Sequence, residues 1–210
     1  MVIGVGGYIC SGKSYICNNI FKKIENSLII SVDRVAREIY YDKKFLEFIR
    51  KNCPSAISEF GINTKIILEK VLFNDKINME FCQLSWDLIS NLVNKNIEDI
   101  SKHYKYIFIE AALITFLSIK YDKIIWVQMV EPEFYKQSLT KRDPDNIKNI
   151  LRILDFQHRI YKPEQIRFDY IIDNSSSTSF SYELKLFFKE LNLDYDKIMN
   201  TVLVEKNEDN

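Results

Sequence analysis

The chain alternates short apolar runs with longer stretches in which apolar residues recur every three or four positions. The short runs cover residues 2–5, 28–31, 106–109, 123–129 and 170–172, and each has the length of a strand. They are almost continuously apolar, which is typical of parallel strands buried on both faces of a sheet. Because helical patterns separate them, we predict an α/β fold with a five-stranded parallel sheet flanked by helices.

The longest stretch without a convincing strand pattern is residues 43–103, which predicts a helical insertion. Further helices are expected where Ile16, Ile20 and Ile24 recur at helical spacing, over residues 34–41, from Pro132, within 142–167 and over 182–191. The polar tail, residues 205–210, is expected to fray. We therefore expect a single unit, residues 1–210, whose core comprises residues 1–42, 104–138 and 168–204.

Four of the five glycines lie in the first twelve residues, at the end of the first predicted strand. Residues 7–14 read Gly-Tyr-Ile-Cys-Ser-Gly-Lys-Ser and match the phosphate-loop (P-loop) pattern G-x-x-x-x-G-K-[ST]. Backbone amides and the following helix N-terminus surround a phosphate in such a loop. Lys13 would reach the β- and γ-phosphates, and the Ser14 hydroxyl would ligate Mg²⁺. The alternative is a glycine-rich turn with an incidental lysine.

Polar side chains follow three of the predicted strands, where a parallel sheet of this kind binds its ligands. Asp33 could accept the proton of an attacking hydroxyl, or it could cap the next helix. Glu110 could hold Mg²⁺ through water, or it could be a solvated strand end. Asn174 follows the last strand. These residues are expected to share one edge of the sheet with Gly7 and Met129.

The composition excludes several classes of protein. The chain has 210 residues with 47% apolar residues, so general disorder is excluded. Twenty-nine basic residues balance 29 acidic ones, which argues against non-specific nucleic-acid binding. No apolar run reaches the length of a membrane span. Four cysteines without a C-x-x-C pair or an export signal fit a cytoplasmic protein.

Four of the seven arginines fall between the fourth and fifth predicted strands: Arg142, Arg152, Arg159 and Arg167. The guanidinium group of arginine can make two hydrogen bonds to phosphate oxygens. Residues 139–167 are therefore predicted to form a lid that closes over the transferring phosphates. The alternative is an ordinary solvated helix with scattered cations.

The order of these motifs resembles the dephospho-coenzyme A kinase family. The resemblance covers residues 1 to about 175. It rests on the P-loop opening, Asp33-Arg34-Val35-Ala36-Arg37-Glu38, Glu110-Ala111-Ala112-Leu113-Ile114, Arg142, Gln157 and the final segment 169–174. The fold it implies is that of the P-loop NTPases, similar to nucleoside monophosphate kinases, with 43–103 as an acceptor-binding insertion.

The resemblance implies transfer of the ATP γ-phosphoryl group to the ribose 3′-hydroxyl of dephospho-coenzyme A, with Mg²⁺. Lys13, Asp33 and Arg142 would be catalytic, with Asp33 as the base, and Arg37 would hold the acceptor. The ATP-binding residues implied are Gly7, Cys10, Ser11, Gly12, Lys13, Ser14, Tyr15 and Asn174.

The chain departs from the family pattern mainly on the acceptor side. The departures are Ser31 for an aspartate, Trp86-Asp87 for His-Pro, Ala112 for a proline, Phe116 for a glutamate and Ser138 for a lid arginine. Two alternatives therefore remain open, namely another P-loop small-molecule or nucleoside kinase and a nucleotide-binding relative without transferase activity.

Overall fold

The computed structural model describes the backbone of residues 1–142, 144–175 and 177–208, and all their side chains except those of residues 142, 145, 177–179 and 203–208. The strands are β1 (Val2–Gly6), β2 (Ser27–Ser31), β3 (Ile57–Ser58), β4 (Gly61–Ile62), β5 (Tyr106–Glu110), β6 (Lys123–Gln128) and β7 (Tyr170–Asp173). The helices are α1 (Lys13–Asn19), α2 (Val32–Val35), α3 (Lys43–Asn52), α4 (Thr64–Leu72), α5 (Asp75–Ile100), α6 (Pro132–Arg142), α7 (Ile147–Ile160), α8 (Ser177–Glu190) and α9 (Tyr195–Glu208).

The five predicted strands form one parallel sheet in the order β2-β5-β1-β6-β7. The prediction of a five-stranded parallel sheet flanked by helices is thus confirmed. Glu110 is in register with Val5 on one side and Ser31 on the other, and Gln128 pairs with Asp173. The carboxyl ends of all five strands therefore meet at one edge, directly beside the P-loop.

The sheet is covered on both faces, as its continuous apolar strands require. On β5, Phe108 packs into a core formed with α1, α8 and α9, whereas Ile107 and Ile109 pack toward the helices of the insertion. All five residues of β5 are buried. No helix in the described part of the chain is long and apolar enough to cross a membrane.

Two of the expected helices are shorter than their spacing indicates. Helix α1 ends at Asn19 because a 3₁₀ turn, Phe21–Lys23, places the Phe21 ring in the core, stacked 4.5 Å from Phe108. The segment 34–41 is α2 followed by a second 3₁₀ turn, Glu38–Tyr41. The chain then turns into α3, whose first amides are capped by the Asp42 carboxylate.

Two expectations about irregular regions are wrong. The segment 43–103 contains a small antiparallel hairpin, β3–β4, in which Gly61 adopts a φ of 116° that other residues rarely reach. The C-terminal region is helical as far as Glu208, because the Asp194 carboxylate caps α9 and Ile198 and Val202 are buried in the core. Residues 209–210 of the tail expected to fray lie outside the described residues.

Candidate active site

The P-loop, residues 7–14, joins β1 to α1 in a conformation that requires glycine at two positions. Gly12 has a φ of 91°, and a Cβ there would collide with the side-chain amide of Asn174. A Cβ at Gly7 would collide with the backbone carbonyl of Val127 and the Ser11 hydroxyl. Cys10 is also left-handed, with a φ of 64°, although it carries a side chain. The loop is therefore held close to β6 and to the segment after β7.

Three hydrogen bonds connect the first half of the loop to α6, to α7 and to the residue that follows α7. The Ile9 amide donates to Gln157 Oε1 at 2.9 Å, and the Ile9 carbonyl accepts from the Tyr135 hydroxyl at 2.7 Å. The Tyr8 hydroxyl donates to the Tyr161 carbonyl at 2.8 Å. Burial raises the pKa of Tyr8 to about 12, so its hydroxyl keeps the proton that it donates.

A cavity of about 400 Å³, here called the loop cavity, opens beside the second half of the P-loop. It is lined by Cys10, Gly12, Lys13, Ser14, Tyr15, Met129, Ser138, Lys141 and Asn174. Six of the eight residues predicted to bind ATP are in this set. The other two, Gly7 and Ser11, lie behind it, and the buried Ser11 hydroxyl has no hydrogen-bond partner among the described residues.

The sequence placed Met129 at the ligand-binding edge of the sheet, but it assigned no nucleotide role to Ser138 or Lys141. Met129 directly follows β6 and lines the loop cavity, as its position at the strand end predicts. Ser138 and Lys141 lie on α6, one turn apart. Their approach to the P-loop depends on how α6 packs, which no local pattern shows.

Ser14 and Glu110 meet at the base of the loop cavity, where the Ser14 hydroxyl donates to Glu110 Oε1. Glu110 is 6% exposed and Lys13 is 7% exposed, so the alternative of a solvated strand end is wrong for Glu110. Burial and the Glu110 carboxylate raise the pKa of the neighbouring Cys17, whereas Lys13 lowers it. Cys17 therefore stays a neutral thiol.

The Ser14–Glu110 pair fits a Mg²⁺ site in chemistry. Hydroxyl and carboxylate oxygens are ligands that Mg²⁺ accepts, and Mg²⁺ is usually held by one or two protein groups plus substrate phosphates. The described residues contain no cluster of three or more His, Cys, Asp or Glu side chains that could form a complete metal cage. These residues therefore support a site in which Mg²⁺ is held jointly by the protein and by the phosphates of a substrate.

A second cavity, here called the insertion cavity, has a volume of about 340 Å³ and lies between α2, α4, α5 and α7. Asp33, the second residue of α2, lines it together with Trp86, Ala111 and Gln157. Most of the lining is apolar, including Leu68, Val71, Phe81, Ile89, Leu117 and Phe156. The helix that Asp33 was expected to cap begins one residue before it, with Ser31 at the N-cap, so the capping alternative is wrong.

Not every predicted residue converges on these cavities. Arg37 is exposed and belongs to neither lining among the described residues. The Arg142 side chain lies outside the described part of the chain. Arg159 pairs with Asp75 and Asp155, and Arg152 packs on Phe73, so both are turned away from the loop cavity.

Comparison with known proteins places this geometry in a family. The family model described as dephospho-CoA kinase (CoaE) matches residues 1–179. The chain belongs to the dephospho-CoA kinase family. The known reaction of this family is the final step of coenzyme A biosynthesis. As a kinase family, it implies ATP as a substrate and usually Mg²⁺.

Individual relatives agree with the family assignment. A dephospho-CoA kinase of Wolbachia sp. subsp. Brugia malayi (strain TRS) is 26% identical over 181 residues, covering 84% of this chain and 90% of that protein. A dephospho-CoA kinase structure from Campylobacter jejuni aligns over 90% of this chain and 96% of its own, with 23% identity and a TM-score of 0.56. The Thermus thermophilus protein TT1252 aligns over 91% and 97%, with 17% identity and a TM-score of 0.68. The two structures show that this chain shares their fold.

Proposed function

We propose that the chain transfers the γ-phosphoryl group of ATP to the ribose 3′-hydroxyl of dephospho-coenzyme A. The observation that carries this proposal is that the hydrogen-bonded pair Ser14–Glu110 connects the linings of two cavities. Ser14 lines the loop cavity and donates a hydrogen bond to Glu110. The residue that follows Glu110, Ala111, lines the insertion cavity. A phosphoryl donor and an acceptor bound in these cavities would meet at the carboxyl edge of the sheet.

The loop cavity has the groups that a nucleotide needs. The P-loop amides and Lys13 would hold the β- and γ-phosphates, while Gly7 and Ser11 shape the loop from behind. Asn174, which donates to the Ser11 carbonyl at 3.3 Å, would lie beside the adenine. Mg²⁺ would be held by Ser14, with Glu110 as a water-mediated or direct partner, and would neutralise phosphate charge.

The insertion cavity supplies the acceptor side. Asp33 would accept the proton of the 3′-hydroxyl as its oxygen bonds to the γ-phosphorus and ADP departs. Trp86, whose ring centroid is 4.5 Å from that of Phe116, would offer an aromatic wall for the acceptor base. The 43–103 segment is thus an acceptor-binding insertion in this proposal, and Arg37 holds the acceptor from outside the lining.

Residues 139–167 act as the lid in this proposal. Arg142 would neutralise the charge that develops on the transferred group, and exclusion of water would suppress ATP hydrolysis. The four cysteines are free thiols in the structure, which supports a reducing compartment such as the cytoplasm.

The test is ADP release from Mg²⁺-ATP, measured with and without dephospho-coenzyme A, with the product identified by mass. We expect acceptor-dependent ADP release and one molecule of coenzyme A for each ADP. A panel of nucleosides and small alcohols tests the other acceptors, because the altered acceptor side favours another kinase if any of them is preferred. Nucleotide binding without turnover on any acceptor would instead identify a non-catalytic relative.

A further inference from the structure

A third cavity, here called the junction cavity, adjoins the insertion cavity. It has a volume of about 650 Å³ and lies where α7 faces the junction of α4 and α5. The two cavities share Leu72, Asn78 and Phe156, whereas Asp33 lines the insertion cavity alone. A molecule that lies at Asp33 and also reaches these shared residues would extend from the insertion cavity into the junction cavity.

The junction cavity contains an arginine with unused hydrogen-bonding capacity. The Arg152 guanidinium stacks on the Phe73 ring, with 3.6 Å between its central carbon and the ring centroid. Its Nη1 atom is buried and has no hydrogen-bond partner among the described residues. A buried donor without an acceptor is costly, and a charged one more so. This atom is therefore able to donate a hydrogen bond to an acceptor on a bound ligand.

The other charges of the junction cavity leave it able to accept an anion. Arg159 holds the Asp75 carboxylate through two hydrogen bonds, of 2.7 and 3.1 Å, and Asp155 at 3.2 Å. Both carboxylates that line the cavity are thereby engaged. Lys76 also lines it, so the charges of the lining sum to one positive charge. The N-terminus of the 26-residue helix α5 lies at the same place and adds positive potential.

We propose that Arg152 binds the diphosphate of the acceptor, an inference that rests on the proposed function. Dephospho-coenzyme A carries its diphosphate on the 5′ carbon of the ribose whose 3′-hydroxyl reacts. With the nucleoside in the apolar insertion cavity and the hydroxyl at Asp33, the diphosphate would enter the junction cavity. There the planar guanidinium, in contact with the Phe73 ring, would give two-point contacts to phosphate oxygens.

The test compares wild type with Arg152→Gln in steady-state kinetics. We expect the KM for dephospho-coenzyme A to rise about tenfold to a hundredfold, the loss typical of a charge-assisted hydrogen bond. The kcat and the KM for ATP should stay within about twofold, because the contact is equal in ground and transition states. Arg152→Lys keeps the charge without the fork, so it should give an intermediate KM.

Two further measurements separate ligand binding from a structural role of Arg152. Adenosine lacks the diphosphate, so its dissociation constant, measured by calorimetry, should be the same for wild type and Arg152→Gln. Arg50→Gln, at an exposed arginine of α3 that lines neither cavity, should leave every parameter unchanged.

Each contrary result has a distinct meaning. An unchanged KM for dephospho-coenzyme A in Arg152→Gln overturns the assignment of Arg152 and leaves the proposed function standing. An equal loss of affinity for adenosine and dephospho-coenzyme A also overturns it, because Arg152 would then act through the fold of the lid. If wild type does not turn over dephospho-coenzyme A, the proposed function fails and this inference fails with it.

Discussion

Replacing Gln157 by leucine should loosen the P-loop without enlarging the core. The Gln157 side chain and the Ile9 residue are 8% and 9% exposed, and the Ile9 amide donates to Gln157 Oε1 at 2.9 Å. Leucine has a similar size but no acceptor. In the Gln157→Leu variant, the Ile9 amide would remain buried without a partner.

The magnitude follows from that orphaned amide. A buried donor left without a partner costs about 1–3 kcal/mol of unfolding free energy. For a chain of this size each kcal/mol lowers the Tm by about 2–4 °C. Tyr135→Phe is the matched control because it removes the hydroxyl that donates to the Ile9 carbonyl at 2.7 Å. That carbonyl should tolerate the loss better, at about 0.5–1.5 kcal/mol.

Urea unfolding followed by far-UV circular dichroism measures the stability, and titration with ATP measures the function. We expect Gln157→Leu to be the less stable of the two variants and to bind ATP more weakly than wild type, because Ile9 lies within the P-loop. A Gln157→Leu protein with wild-type stability and ATP affinity would refute this reasoning. It would mean that the P-loop keeps its conformation without the hydrogen bond between the Ile9 amide and Gln157.

Substitutions at four other positions test the site. Lys13→Ala should lower turnover by orders of magnitude while the circular dichroism spectrum stays unchanged, and full activity would rule out the P-loop assignment. Asp33→Asn should lower kcat about 10²- to 10⁴-fold, with the KM for ATP unchanged, in steady-state kinetics; an unaltered kcat would exclude Asp33 as the base. Glu110→Gln should raise the Mg²⁺ concentration for half-maximal turnover about ten- to a hundredfold, and an unchanged Mg²⁺ titration would separate Glu110 from the metal. Cys10→Gly should be more stable than Cys10→Ala by about 1 kcal/mol in urea unfolding, because alanine keeps the cost of the left-handed backbone; equal stabilities would show that the loop carries no such strain.

Features with a local signal were predictable from the sequence. The five strands are recognisable as short apolar runs. The P-loop is recognisable as a contiguous pattern with glycines at set positions. Asp33 and Glu110 could be placed because parallel strands end at a common edge. The structure adds that Glu110 is buried against Ser14, which residue types alone do not show.

Features that depend on distant contacts were not predictable in this way. Asn174 lies over Gly12, and Gln157 reaches Ile9, although these partners are more than a hundred residues apart in the chain. The basic segment indicated a lid of phosphate-binding arginines. Its Arg152 and Arg159 face the start of α5 and not the loop cavity, because the packing of α7 decides which side of the helix meets which cavity. Helix α9 had a usable signal in Asp194, whose cap precedes Ile198 and Val202 at a spacing of four.

The central claim is that the two cavities bring the γ-phosphoryl group of ATP to the ribose 3′-hydroxyl of one acceptor. The most direct test is to follow ATP labelled in its γ-phosphoryl group during incubation with dephospho-coenzyme A. We predict that the label appears on the 3′ position of coenzyme A at the rate of ADP formation. Label found only in inorganic phosphate, or on another position of the acceptor, would contradict the claim.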